Sequence, residues 1–331
     1  MGIQTTVVGS YPVPEWLSAL PSEQALVDAT AVVFKVQENA GIDLVVDGEL
    51  YRFDTDHPDT NGMIEYFVRP LDQVRSLVGR ADIEAFRQDV GMAFRAKPSG
   101  VVEGALGEGL LDLPGDCRRA RALTRSPMKF TLTGPHMLCK TLLDRHYGSR
   151  AELCLALADV LAAQVAHLDA EVIQVDEANL PGHTEEADWA LEGINRVLDA
   201  VPTTGAVHLC FGNYGGQSIQ QGSWEQLIHY ISNLHCDHVL LELAHRGSWE
   251  LASLAQIDPK IKFGLGVVDI KSNIVESAED IARAIEEAAK AVGPERIAYI
   301  NPDCGFWMQK RSVADRKIEA LVAGRDLYEG R

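Results

Sequence analysis

The chain has 331 residues, of which 46% are hydrophobic, 24% charged and 7% aromatic. This is the composition of an ordinary folded protein, and it excludes a disordered chain, a collagen and a disulfide-stabilised scaffold. The 30 Lys and Arg residues against 48 Asp and Glu residues give a net charge of −18. Because such a surface repels phosphate groups and anionic lipid heads, neither nucleic acid nor a membrane surface is a predicted partner.

Short β-type segments alternate with helical stretches along the chain. They are Thr5–Gly9, Asp43–Asp47, Lys129–Thr133, Glu171–Asp176, Gly205–Cys210, His238–Leu243, Ile261–Val267 and Arg296–Asn301. Most are continuous apolar runs, which are typical of parallel strands covered on both faces. Eight alternations predict an α/β fold of the (β/α)8 TIM-barrel type. An open doubly wound sheet is the alternative, but no Gly-x-Gly-x-x-Gly motif follows the first strand.

Helix-start signals support this alternation. Ser149 and Ser277 each begin a capping pattern that precedes an apolar helical face, and Gly293-Pro294 ends the second of these helices. Ser22 and Thr184 are predicted to cap two further helices.

One long segment separates the second and third predicted strands. It runs for about 80 residues, from Leu50 to Met128, and connections of this length usually carry function. A helical pattern near Asp82–Phe94 and a Gly-rich stretch at Val101–Leu113, which we interpret as a β-hairpin, give it internal structure. We expect an excursion over the barrel mouth (about 50–128) within one domain that spans residues 1–331.

The ends of the chain and its cysteines predict a cytoplasmic protein. No apolar run approaches the ~18 residues that a transmembrane helix needs. Residues 1–6 lack the basic and apolar regions of a signal peptide. In that compartment the six cysteines are expected to be free thiols or metal ligands.

Polar residues follow the carboxyl ends of the predicted strands, which meet at one face of a barrel. His208 and Cys210 lie two positions apart, so both point to the same side of a strand. If the barrel closes, Cys304 and Glu242 join them, and His, Cys and Cys, with or without Glu, suit Zn²⁺. Buried thiols beside a hydrogen-bonded core histidine fit the same spacing.

A second run of ligand-type residues, His235-Cys236-Asp237-His238, precedes the sixth strand and would lie at the opposite end of the barrel. It is therefore the weaker metal candidate. Three acids, Glu49, Asp176 and Glu177, have no cation beside them in sequence and would suit an ammonium group on a substrate. A helix cap or a salt bridge is the alternative role for each of them.

Several strand-end motifs occur in a characteristic order. They are Val8-Gly9-Ser10-Tyr11-Pro12, Asp47-Gly48-Glu49, Met63-Ile64-Glu65-Tyr66-Phe67, Leu132-Thr133-Gly134-Pro135, Ile173-Gln174-Val175-Asp176-Glu177, His208-Leu209-Cys210, Gly264–Ile270 and Asn301–Gly305. Taken together they resemble the catalytic domain of cobalamin-independent methionine synthase over nearly the whole chain. The resemblance implies a zinc-dependent methyltransferase that converts homocysteine to methionine.

The resemblance also implies roles for individual residues. Zinc would be held by His208, Cys210 and Cys304, with Glu242 as a fourth ligand that the substrate sulfur replaces.

Homocysteine would be bound by Ser10, Glu49 and Asp176, with Glu177 beside them. The acids would hold its ammonium group, and backbone N–H groups of the Ser10 loop would hold its carboxylate.

Three departures from the family concern the methyl donor. The family's Asp-Ile-His-Ser reads Asp269-Ile270-Lys271-Ser272 here, which makes Asp269 and Lys271 the predicted catalytic residues. The segment directly after Gly134-Pro135, where the family stacks its pterin, contains no Trp, and the family's full-length enzyme has a second barrel. The donor is accordingly predicted to be methylcobalamin, a corrinoid protein or methyl-folate.

Two other functions remain open from the sequence. Related zinc enzymes join other electrophiles to a thiol, as in the opening of epoxides by coenzyme M. A zinc- or thiol-binding protein without turnover is the other, although such a scaffold needs no ammonium clamp.

Overall fold

The computed structural model describes residues 2–57, 60–88, 95–212, 221–244, 246 and 249–331. Its strands are β1 (Gln4–Thr5), β2 (Val45–Val46), β3 (Asp72–Arg75), β4 (Val101–Gly107), β5 (Met128–Thr133), β6 (Leu143–Asp144), β7 (Val172–Glu177), β8 (Thr204–Leu209), β9 (His238–Leu241), β10 (Lys262–Val268) and β11 (Ile297–Pro302). Its helices are α1 (Glu15–Ala19), α2 (Glu23–Ala40), α3 (Glu65–Val68), α4 (Arg80–Gln88), α5 (Leu113–Arg121), α6 (Pro135–Thr141), α7 (Arg150–Val165), α8 (Ala187–Leu198), α9 (Ile228–Ser232), α10 (Trp249–Leu254), α11 (Ala278–Val292) and α12 (Arg311–Glu329).

The central sheet closes on itself. Eight parallel strands follow the order β1-β11-β10-β9-β8-β7-β5-β2. A parallel bridge between Thr6 and Leu44 then joins the two ends, and the Leu44 N–H donates to the Thr5 carbonyl at 3.1 Å. Helices alternate with these strands, so the predicted TIM-barrel type is confirmed.

Each predicted barrel strand overlaps an observed one in the expected order, but the first two are shorter than expected. β1 and β2 have two residues each. The Thr5 N–H donates to the Asp43 carboxylate at 2.8 Å, so a side chain takes the place of a ladder partner at this point. Pairing between these two strands is therefore confined to the Thr6–Leu44 bridge.

The barrel interior contains a small apolar layer near its amino end. Buried side chains from several strands contact one another there, apart from the main core: Val8, Leu44, Val172, Ala206 and Leu240, with Tyr299 packed against them. Side chains alternate between the two faces of a strand. Residues two or four positions further along each strand therefore also face inward, and these are mostly polar.

The helix caps agree with the sequence at three of four positions. Ser22, Ser149 and Ser277 each accept a backbone N–H at the start of a helix. The prediction for Thr184 is wrong. Residues Thr184–Glu186 form a 3₁₀ turn, and α8 begins only at Ala187, after Glu186, whose side chain makes no cap hydrogen bond.

The excursion contains its own sheet. β3 pairs antiparallel with β4, and β4 pairs parallel with β6, which follows α6. The predicted hairpin at Val101–Leu113 is therefore wrong: the Leu110 N–H donates to the Pro70 carbonyl, and β4 takes its partners from distant segments. The predicted helix near Asp82–Phe94 is observed as α4, and residues 89–94 lie outside the described residues.

Within the described residues, no helix combines the length and the apolar composition that crossing a bilayer requires. The cytoplasmic location stays a prediction.

Candidate metal and substrate site

Three metal-ligand side chains meet at the carboxyl end of the barrel. One ligand atom each of His208, Cys210 and Cys304 lies within 4.8 Å of the others. β8 directs His208 inward, two positions beyond Ala206, and the turn after β11 brings Cys304 to it. Both ring nitrogens of His208 are buried without a nitrogen or oxygen partner. Because buried imidazoles are normally hydrogen-bonded, this is the environment expected of a metal ligand.

Without a metal, the thiol of Cys304 and the imidazole of His208 both favour their protonated forms. A hydrogen bond with Cys210 and burial both raise the pKa of Cys304 well above its usual value. Burial lowers the pKa of His208, but Cys304 and Asp176 raise it, and the net direction is upward. A divalent cation would lower both pKa values, because it stabilises the thiolate and the neutral imidazole.

Glu242 lies beside this cluster but is not a member of it among the described residues. Its carboxylate accepts the Lys271 ammonium at 2.8 Å and the Phe211 N–H at 3.2 Å. Burial lowers the pKa of Lys271, but the Glu242 carboxylate raises it, so the ammonium form is favoured. The two residues predicted as fourth ligand and catalytic group thus form one buried ion pair.

A second group of possible ligands consists of His183, Glu185 and Glu186. The Glu186 carboxylate is already held by His136 and by the Lys140 ammonium, each at 2.7 Å, and Glu185 is exposed. The run from His235 to His238 does not form such a group in the described part of the chain. The cluster at His208 is therefore the stronger metal candidate.

Glu49 is held in an unusual backbone conformation. Its φ of 60° lies in the left-handed region, which costs a non-glycine residue about 1 kcal/mol or more. The carboxylate accepts the Thr131 hydroxyl at 2.7 Å and lies 3.3 Å from the Arg52 guanidinium. It also packs so closely on Gly9 that a Cβ there would collide with it. This strain indicates that the position of the carboxylate matters.

Asp176 connects the acids to the metal candidate. It faces His208 in the parallel register of β7 and β8. Burial and then the Glu49 carboxylate raise the pKa of Asp176 to about 6. Two carboxylates in one desolvated place attract a cation, and a substrate ammonium would meet both.

Ser10 lies next to the loop that carries Cys304. A Cβ on Gly305 would collide with the Ser10 hydroxyl, and the Phe306 N–H donates to the Ser10 carbonyl at 2.7 Å. The structure therefore places Ser10, Glu49, Asp176 and the His-Cys-Cys cluster in one connected region.

Two predicted site residues have other partners. Both oxygens of Glu177 accept backbone N–H groups at the start of α6, from His136 at 2.9 Å and Met137 at 3.0 Å. This is the helix-cap role that the sequence left open. Asp269 accepts the Lys271 N–H at 2.8 Å and so shapes the turn from which Lys271 reaches Glu242.

Sequence reasoning missed three buried polar residues of this region. Arg52, three positions after Glu49, is the cation that pairs with it. Lys129 and Gln174 face into the barrel below Asp176 and are bonded to each other at 2.7 Å. A lysine in a predicted barrel strand that has no other charged residue is the signal that could have found this pair.

Comparison with known proteins identifies the family. The family model described as the catalytic domain of cobalamin-independent synthase matches residues 3–324. The methionine synthase of Thermococcus kodakarensis is 30% identical over 342 residues, covering 98% of this chain and 93% of that protein. The methionine synthase of Saccharolobus solfataricus is 26% identical, covering 97% and 93%.

Among solved structures, a B12-independent methionine synthase from Shewanella sp. W3-18-1, in complex with selenomethionine, has the same fold. Its TM-score is 0.82 at 24% identity, covering 100% of this chain and 98% of that one. The chain belongs to the family of cobalamin-independent synthase catalytic domains. The predicted family and an enzyme of the methionine synthase type are thereby confirmed.

The buried contacts of His136 predict a pH dependence of stability. Burial lowers the pKa of His136, but Glu177 and Glu186 raise it, to about 9 from 6.5. A raised folded-state pKa stabilises the fold fully below 6.5, and this contribution is lost as pH rises through 9. We expect the free energy of unfolding to fall by about 1–3 kcal/mol across this window. Denaturant titrations of the wild type and His136→Gln test this, and an equal decline in both proteins would contradict it.

Proposed function

We propose that this protein is a zinc-dependent methyltransferase that transfers a methyl group to the thiol of homocysteine and forms methionine. The observation that carries the proposal is the convergence of His208, Cys210 and Cys304 within 4.8 Å, beside an acidic pair in the same barrel mouth. Family membership supports the reaction class, because relatives that match this chain over nearly their whole length are methionine synthases.

Zinc fits the donor set of this site. One imidazole and two thiols, which prefer soft or borderline cations, leave room for a further ligand. When bound, zinc would lower the pKa of a coordinated thiol, so that the nucleophilic thiolate is present at neutral pH. Glu242 is proposed as the ligand that the substrate sulfur would replace, because the Lys271 ammonium, at 2.8 Å, can hold the released carboxylate.

The chain's own residues would select and orient the amino acid part of the substrate. Asp176 is buried, the side chain of Glu49 is only 9% exposed, and the two carboxylates would together hold the ammonium group. The Ser10 loop, in contact with Gly305, would hold the carboxylate through backbone N–H groups. This arrangement would fix the sulfur at the cluster and keep water from it, so that the methyl group is transferred to sulfur.

The methyl donor is proposed to be methylcobalamin or a corrinoid protein rather than free methyl-folate. When methyl-folate gives up its methyl group, the amine that leaves must take up a proton. When a methylcorrinoid does so, cobalt leaves without a proton. Lys271 occupies the position of the family's histidine, and its ion pair with Glu242, at 2.8 Å, raises its pKa, which makes the ammonium a weak general acid.

We expect Cys210→Ser and Cys304→Ser to lose the metal, because a hydroxyl is a poor ligand for zinc. Metal analysis of the purified proteins by mass spectrometry gives the zinc content per chain. Cys236→Ser, which changes a cysteine outside the cluster, should keep its zinc. Full zinc retention in both site variants would rule out this metal centre.

Replacing Glu49 or Asp176, the acids proposed to hold the substrate ammonium, should weaken the binding of homocysteine specifically. We expect Asp176→Asn or Glu49→Gln to raise the Kd for homocysteine about tenfold or more, because a charge-assisted hydrogen bond is lost. The Kd for 4-mercaptobutyrate, which has the same chain without the amine, should change little. Calorimetry on the zinc-loaded protein measures both constants, and equal effects on both thiols would contradict the clamp.

The two donors should differ in rate. With homocysteine and equal donor concentrations, we expect faster methionine formation from methylcobalamin than from methyl-folate, since general acid catalysis is typically worth ~10²–10⁴-fold. Methionine is quantified by mass spectrometry. The reverse order would overturn the donor assignment, and activity with neither would favour another electrophile, such as an epoxide.

A further inference from the structure

A chain of buried hydrogen bonds runs beneath the acidic pair. Lys129 lies on β5 with its side chain fully buried, and its ammonium donates to Gln174 Oε1 at 2.7 Å. Gln174 Nε2 in turn donates to Asp176 Oδ1 at 2.7 Å and to the Val8 carbonyl at 3.0 Å. The three side chains connect the inside of the barrel to the proposed substrate site.

The direction of this chain is fixed by the chemistry of its ends. An ammonium can only donate hydrogen bonds, whereas a carbonyl and a carboxylate can only accept them. Gln174 must therefore turn its oxygen to Lys129 and its amide N–H groups to Val8 and Asp176. Because Gln174 is fixed in this way, its amide N–H holds the carboxylate of Asp176 in one orientation.

We propose that Lys129 is a positioning residue for the amino group of the substrate: through Gln174 it fixes the orientation of the Asp176 carboxylate. This inference rests on the proposed function, because it takes the substrate to be a thiol that carries an ammonium group. It assigns a role to a side chain that touches neither the cluster nor the substrate.

The surroundings of Lys129 argue against a purely structural role. Burial lowers its pKa to about 7, opposed by the carboxylates of Asp176 and Glu49. Replacing a buried charge by a hydrophobic side chain of similar volume is often neutral or stabilising. A lysine at this position is therefore costly for folding, and its effect on the two carboxylates is what it contributes to the site.

The test is a comparison of two thiols in the zinc-loaded protein. We expect Lys129→Met to raise the Kd for homocysteine about tenfold, because Asp176 loses its orientation, while the Kd for 4-mercaptobutyrate is unchanged. Lys317→Met is the matched control, since Lys317 is also fully buried but pairs with Glu276 outside the barrel. It should leave both constants unchanged.

A double-mutant cycle distinguishes positioning from a general disturbance. If Lys129 acts through Asp176, Lys129→Met should add no further loss in an Asp176→Asn background. Gln174→Leu interrupts the chain one step later and should give the same selective loss, which provides a second test should Lys129→Met not fold.

Two results would overturn the inference. Equal weakening of both thiols by Lys129→Met, or full additivity with Asp176→Asn, shows that Lys129 does not act on the amino group. If the wild-type protein binds no homocysteine, the proposed function fails as well. Binding by the wild type with an unchanged Kd in Lys129→Met refutes the positioning role alone.

Discussion

Charges that face the inside of a closed barrel must be compensated inside the barrel, and the whole candidate site depends on this constraint. Asp176 is buried, and the side chain of Glu49 is largely removed from water. The Arg52 guanidinium lies 3.3 Å from Glu49, and the Lys129 ammonium reaches Asp176 through Gln174. Two carboxylates balanced in this way can remain ionised without solvent, which is the condition for recognising a cation there.

The strained backbone conformation of Glu49 is held in place by its surroundings. A residue with a side chain in the left-handed region persists only when its surroundings over-determine it. Here the Asp47 carboxylate accepts the Glu49 N–H at 2.8 Å, and the Thr131 hydroxyl fixes the Glu49 side chain at 2.7 Å. Gly9, which has no side chain, leaves the space that this carboxylate occupies. The motif that contains Gly9 and the motif that contains Glu49 thus pack against each other.

The metal candidate and the acidic pair are coupled through the sheet. Asp176 and His208 are register partners on adjacent strands, so the pairing of β7 with β8 fixes the acid beside the metal candidate. The Lys271–Glu242 ion pair lies beside the metal candidate, with its carboxylate buried and its ammonium largely so. In the proposed mechanism, a carboxylate that an ammonium already holds would compete less strongly for the metal, so a substrate sulfur would replace it more readily.

The sequence determined the barrel and the convergence of its strand ends, because apolar periodicity and helix caps are local properties. The motif order was also enough to place His208, Cys210 and Cys304 in one cluster. Only the tertiary structure decided which acids have partners. Of the roles that the sequence left open, Glu177 caps α6 and Glu49 is paired with Arg52. Lys129 and Gln174 lie 45 positions apart and are joined only because β5 and β7 are adjacent in the sheet. Sequence patterns report local preference, whereas the compensation of a buried charge depends on which strands become neighbours.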